Sequence, residues 1–177
     1  MEIFTLDAET FPIRKGLAAP PPVCYGWCRF VEGAVIEKGL VTCLDETAGD
    51  FPSWHRGPIT MASLLKSMMK YALSVGSDRC RIVNVNMVYD FAVLAAHDGE
   101  LLDLMFDCYD AGLIEDPSLR EQLLDIASGH LGWSSKRKTA KGTSRKKEYS
   151  LKELADEYLG IDMDKSTWRT GYGRLAK

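Results

Sequence analysis

The sequence predicts an α/β domain: a mixed sheet that opens with three antiparallel strands, continues as alternating helix and strand, and carries flanking helices. Three observations predict it. Apolar and polar residues alternate through Glu2-Ile3-Phe4-Thr5-Leu6-Asp7, the period of a strand. Two further β-rich runs, Val23–Phe30 and Ala34–Cys43, are joined by Glu32-Gly33, which reads as a tight turn. From Thr60 the apolar residues change to helical spacing, and helical stretches then alternate with a short apolar run at Cys80–Asn84.

Between the first two strands, Leu17-Ala18-Ala19-Pro20-Pro21-Pro22 reads as loop, because proline donates no hydrogen bond to a sheet ladder. Asp45–Pro58 reads as a second loop. Met61, Leu64, Leu65, Met68, Met69 and Leu73 form one helical stripe, with Thr60 as its N-cap. Further helices are expected over Met87–His97, Leu101–Ala111 and Ser118–Ala127, the last introduced by Pro117. A final helix begins at Leu151, with Ser150 as cap and Glu153 placed for a capping box. Three sequential strands followed by an alternating α/β half is the order of a ribonuclease H-like sheet.

The totals exclude several classes. A chain of 177 residues suits one domain. Its 46% hydrophobic and 27% charged content fits a folded globular protein rather than a disordered one. No apolar run reaches the roughly 18 residues of a membrane span, and the acidic start MEIFTLDAET is unlike a signal peptide, so a cytoplasmic location is expected. The net charge of −3 confines any nucleic-acid contact to a local basic face. Five cysteines, an odd number, point to free thiols; Cys24 and Cys28 have a C-x3-C spacing, but no second pair or neighbouring histidine completes a zinc site. His55, His97 and His130 are scattered, Ser134 and Ser135 have no base partner, and Trp133 and Trp168 read as packing groups. Trp54-His55-Arg56 reads as an exposed loop.

Residues 134–148, SSKRKTAKGTSRKKE, interrupt the apolar periodicity and carry Lys136, Arg137, Lys138, Lys141, Arg145, Lys146 and Lys147. They read as a basic, solvated, flexible loop that is also able to contact phosphates. The expected organisation is therefore a core over 1–133, this loop over 134–148, and a C-terminal helical part of the same domain over 149–177.

The chemistry lies in carboxylates. Asp7 and Glu9 stand at i and i+2 at the end of the first strand, so they project from one face. Two such charges side by side are costly unless a cation neutralises them, and oxygen ligands suit Mg²⁺ or Mn²⁺. Asp90 falls in the first turn of the helix that follows the Cys80–Asn84 strand, where the helix dipole favours negative charge. The bland alternatives are a solvated loop mouth and a helix-start aspartate.

Asp7-Ala8-Glu9-Thr10 resembles the D-x-E-T first motif of DEDD-type 3′→5′ exonucleases, and Asn86-x-x-Tyr89-Asp90 resembles their second, N-x3-D. Flanking stretches resemble the proofreading domain of phage family A DNA polymerases in order. They are Phe11-Pro12-Ile13 and Leu17-Ala18-Ala19-Pro20-Pro21; then Leu113 to Pro117, Leu119 to Leu123 and Ile126 to Gly129; then Tyr149-Ser150-Leu151, Leu154-Ala155, Tyr158-Leu159-Gly160, Lys165, Trp168-Arg169 and Tyr172-Gly173. Val85 stands where the family often has histidine. The resemblance implies a two-metal site for Mg²⁺ or Mn²⁺, with Asp7 bridging both ions, Glu9 on the ion that carries the nucleophile, and Asp90 on the other. It implies that Thr10, Ile13, Asn86 and Tyr89 contact the DNA 3′ end; Lys136, Arg137 and Lys138 are expected as phosphate contacts from the charge of their stretch alone. It further implies a polymerase domain as partner, in the same or a separate chain. The family's third motif, Y-x3-D, is expected after the Trp168-Arg169 to Tyr172-Gly173 block, so the chain is expected to stop before its last carboxylate. Tyr158 and Asp162 spell the pattern, but their neighbours align with the preceding block. A catalytically deficient nucleic-acid-binding module with the same fold is the alternative expectation.

Overall fold

The computed structural model describes residues 1–11, 19–42, 61–130, 132–138 and 144–163. In chain order the elements are β1 (Glu2–Thr10), β2 (Pro22–Val31), β3 (Ala34–Thr42), α1 (Met61–Val75), β4 (Cys80–Val83), α2 (Met87–His97), α3 (Leu101–Asp110), β5 (Ile114–Glu115), α4 (Pro117–Ala127), β6 (Trp133–Lys138), β7 (Ser144–Lys146) and α5 (Leu151–Leu159). Five strands form one mixed sheet in the order β3-β2-β1-β4-β5. The β1–β2 and β2–β3 pairs are antiparallel, whereas β4 runs parallel to β1 and to β5. With its flanking helices this is the ribonuclease H-like arrangement that the element order predicts.

Local chemistry explains the main elements. The β2–β3 turn holds Glu32 at φ 52° and Gly33 at φ 82°, the paired positive values of a type I′ two-residue hairpin turn. Pro22 is tolerated because it is the first residue of β2. Along β1, Phe4, Leu6 and Ala8 are buried while Asp7 is exposed. The buried row meets Tyr25, Trp27 and Val41 from β2 and β3, and the stripe of α1 with Met68 and Met69. Ile82, Met87, Leu94, Leu101 and Leu113 complete the same core. Cys24, Cys28, Cys80 and Cys108 are free thiols. No helix among the described residues is long and apolar enough to cross a membrane.

Three features depart from the sequence reading. First, β5 is a two-residue strand where none is expected. It forms because Asn84 N–H donates to Glu115 O and Ile82 N–H to Leu113 O, which extends the sheet by one short rung.

Second, the basic stretch is not simply a loop. Residues 133–138 and 144–146 pair as two antiparallel strands, and Lys147 is buried. Its ammonium lies 2.6 Å from Glu121, 3.2 Å from Asp125 and 3.3 Å from Glu157, which neutralise it between α4 and α5. Tyr149 and Tyr158 donate to Asp125 and Glu121 in the same cluster. As a result α4 buries Glu121 and leaves Leu119, Leu123, Leu124 and Ile126 exposed, the reverse of a usual amphipathic helix.

Third, the box at α5 is shifted. Ser150 Oγ accepts from Glu153 N–H as expected, but the Glu153 carboxylate accepts from Glu148 N–H instead of the cap residue's own.

Two helix starts share one side chain. Asp116 caps α4 through Oδ1, which accepts from Ser118 and Leu119 N–H, and its Oδ2 accepts from Met87 N–H, the first residue of α2. Each such cap contributes about 1 kcal/mol. Asp116→Ala is expected to lower stability by about 2 kcal/mol, read from urea unfolding followed by circular dichroism. A loss below about 0.5 kcal/mol contradicts the double cap.

Candidate functional site

Strand β4 is short. It pairs with β1 only from Glu2↔Cys80 to Phe4↔Ile82, so the last part of β1 runs past the end of its neighbour. The chain leaves β4, passes Asn84 to Asn86, and enters α2. Asn86 takes the left-handed conformation at φ 62° and ψ 41°, which turns the chain sharply into the helix. Asparagine tolerates this region better than most residues. Asp90, one turn into α2, is thereby aimed back at the uncovered edge of β1.

There Asp90 Oδ1 accepts the backbone N–H of Ala8 at 3.0 Å, a contact across 82 residues of sequence. Oδ2 accepts from Asn84 Nδ2 at 2.6 Å. The carboxylate thus sits against the segment Asp7-Ala8-Glu9. Burial pushes its pKa up to about 7, the hydrogen bond from Ala8 opposes this, and the charges of Asp7 and then Glu9 add to the rise. The Cys24 thiol, opposite Glu9 in the sheet, is raised chiefly by burial and further by Glu9 and Asp7. Burial thus acts first on both groups, and the charges of Asp7 and Glu9 register at each.

The donor set is one of hard oxygens on a buried, unfavourably ionised carboxylate, the imbalance that a divalent cation relieves. In that chemical sense Asp7, Glu9 and Asp90 fit Mg²⁺ or Mn²⁺. Their spacing is wider than a cage: among the described residues, no three His, Cys, Asp or Glu side chains are grouped closely enough to hold an ion.

Around the carboxylates, Thr10 Oγ1 and Tyr89 Oη lie 3.0 Å apart and tie the end of β1 to α2. Asn86 is exposed and makes no side-chain cap. Asp7 stands opposite Gly26, and a Cβ added at Gly26 meets nothing within 4 Å. That open floor belongs to a cleft of about 700 Å³ lined by Asp7, Gly26, Leu40, Asn84, Pro117 and Leu151 among others.

Other expected residues fall elsewhere. Tyr158 donates to Glu121, and the Asp162 side chain is 84% exposed and pairs with Lys152 at 2.9 Å. Both partners belong to the α4–α5 region, not to the carboxylates of β1 and α2. Ile13 lies outside the described residues, as do Trp54, His55, Arg56 and Trp168. Lys136, Arg137 and Lys138 fall on β6, and their side chains lie outside the described residues. Asn84 was not legible as a site residue: its contact with Asp90 depends on the direction in which α2 leaves the sheet.

No protein-family model matches the chain, and no curated protein sequence does. The solved structures that match include two of exonuclease I. One is Escherichia coli exonuclease I in complex with a dT13 oligonucleotide, at 16% identity and a TM-score of 0.45, covering 88% of this chain and 35% of that one. The other is a product-bound exonuclease I, at 16% identity and a TM-score of 0.47, covering 99% of this chain and 43% of that one. The chain therefore spans less than half the length of either structure. At these values the assignment of fold rests on the strand order itself.

Proposed function

We propose that this chain is a DEDD-type 3′→5′ exonuclease domain that hydrolyses the terminal phosphodiester of single-stranded or frayed DNA. One observation carries the reading: the Asp90 carboxylate accepts the N–H of Ala8, between Asp7 and Glu9. The contact sets the first turn of α2 against the segment that carries Asp7 and Glu9, across 82 residues of sequence.

In this reading Asp7, Glu9 and Asp90 hold the divalent ions. When bound, such ions activate water and stabilise the leaving oxygen of a phosphodiester. The chain's own residues do the rest. Ala8 N–H and Asn84 fix the Asp90 carboxylate. The pair of Thr10 and Tyr89 holds the end of β1 against α2. The cleft beside Asp7 has the volume of a small-molecule site and room for an unstacked terminal nucleotide. Ile13 and Asn86 are proposed to contact the last bases, by resemblance. The sequence resemblance further supports a polymerase domain as the natural partner, which would make the activity proofreading.

The test is digestion of a 3′-labelled single strand with and without Mg²⁺, with Asp7→Ala as control. Loss of a charge-holding group at such a site is expected to cost at least about 10²–10³ in rate. Mg²⁺-independent cleavage, or equal rates for parent and variant, contradicts the proposal.

A second reading, a nucleic-acid-binding module that has lost the chemistry, is favoured by the absence of a closed three-ligand cluster among the described residues. It predicts binding without cleavage. Both readings predict that replacing Lys136, Arg137 and Lys138 together with glutamine weakens binding uniformly across sequences. The slope of log K against log salt should fall by about 0.7 per charge removed, roughly 2 in all, by fluorescence anisotropy with a labelled single strand. An unchanged slope removes β6 from the interface.

A further inference from the structure

We infer that Asn84 is a positioning residue that sets the orientation of the Asp90 carboxylate, an inference that rests on the reading of Asp90 as a site acid. The geometry leaves Asn84 little freedom. Its backbone N–H donates to Glu115 O at 3.2 Å, which ties it to β5. Its Oδ1 accepts from Val85 N–H at 2.8 Å. That bond distinguishes the two ends of the amide, because only the oxygen end can accept. Nδ2 is thereby turned toward Asp90 Oδ2 at 2.6 Å.

Asp90 is then held at both oxygens, Oδ1 by Ala8 N–H and Oδ2 by Asn84. Two donors at different oxygens stop the carboxylate from turning about its last bond. Each oxygen keeps a second lone pair for an ion or a water. Asn86, the asparagine that the family motif singles out, makes no side-chain cap, whereas Asn84 is the one in contact with the acid. The nearest carboxylates, Asp7 and Glu9, carry no proton to offer when ionised. Asn84 supplies a neutral donor where a lysine or arginine would compete with the cation for the same oxygen.

The experiment uses the full chain with Asn84→Ala and Asn84→Leu. The second keeps the approximate size of asparagine and loses the donor without adding a charge beside Asp90. Amide hydrogen exchange at Ala8 is the first readout, since that N–H is protected by the Asp90 carboxylate. Both variants are expected to speed exchange at Ala8 at least about tenfold, with Ile3 to Thr5 unchanged. Removing an outer partner of a metal-holding carboxylate typically costs about 10–100-fold in affinity, so Mn²⁺ binding by titration calorimetry should weaken by that factor.

Unchanged exchange at Ala8 in both variants, or a speeding spread evenly over β1, overturns the positioning role. If the parent chain binds no Mn²⁺, the nuclease reading fails separately. Exchange at Ala8 then decides by itself whether Asn84 orients Asp90.

Discussion

In metal-free buffer at pH 8, Asp90→Asn is expected to be more stable than the parent, by about 2 kcal/mol, and, on the proposed nuclease reading, to lose at least about 10³ in Mg²⁺-dependent digestion rate. Burial, opposed by the Ala8 hydrogen bond and reinforced by Asp7, pushes the Asp90 carboxyl from 3.8 to about 7. The folded state therefore keeps a proton that the unfolded chain has released between about pH 4 and pH 7. Stability contributed by this group is complete below about pH 4 and is lost as pH rises through about 7. A shift of roughly three units corresponds to about 4 kcal/mol. Asparagine escapes that cost but opposes one N–H to another at Asn84, forfeiting about 1–2 kcal/mol. Urea unfolding at pH 5 and pH 8 separates the two contributions, with the gain confined to the higher pH. A variant less stable than the parent at pH 8 would mean that the carboxylate is not held against its preference.

The second large effect is on the fold. Lys147→Ala is expected to cost about 3–5 kcal/mol, because it leaves three carboxylates packed together without their cation. The Lys147 side chain is 3% exposed, and those of Glu121, Asp125 and Glu157 are 10%, 16% and 17% exposed. Burial disfavours the Lys147 ammonium, but hydrogen bonds to Glu121, Asp125 and Glu157 outweigh it and hold the group well above the usual lysine range. For Glu121, burial is likewise outweighed by Lys147 and Tyr158, which keep its pKa below the ordinary value. The stability from Glu121 is therefore present above its unfolded pKa and lost as pH falls through the lower folded one. The penalty of Lys147→Ala should accordingly shrink below about pH 4, where the acids take up protons. Thermal melts at pH 7 and pH 3.5 measure this; an equal penalty at both assigns the loss to packing of the lysine stem.

The first half of the fold was readable because its signals are local. The alternation in β1 and the Glu32-Gly33 turn need no knowledge of distant partners, and α2 spans Met87–His97 as its periodicity indicates. The acids were readable in kind for the same reason: Asp7 and Glu9 share a strand face, and Asp90 sits in a first helical turn. What could not be read depends on partners far along the chain. Strand β5 depends on the bonds that Ile82 and Asn84 donate to Leu113 O and Glu115 O. In sequence Lys147 looks no different from Arg145 and Lys146, until α4 and α5 bring three acids around it. Tyr158 and Asp162 matched a motif by spacing, yet the fold employs them at Glu121 and Lys152.

The shared aspartate at the two helix starts has a mechanical meaning. Helix α2 carries Asp90, and its first N–H is gripped by Asp116, which also begins α4. The two helix starts therefore hang on one carboxylate, so a change at Asp116 reaches the helix that carries Asp90 as well as α4.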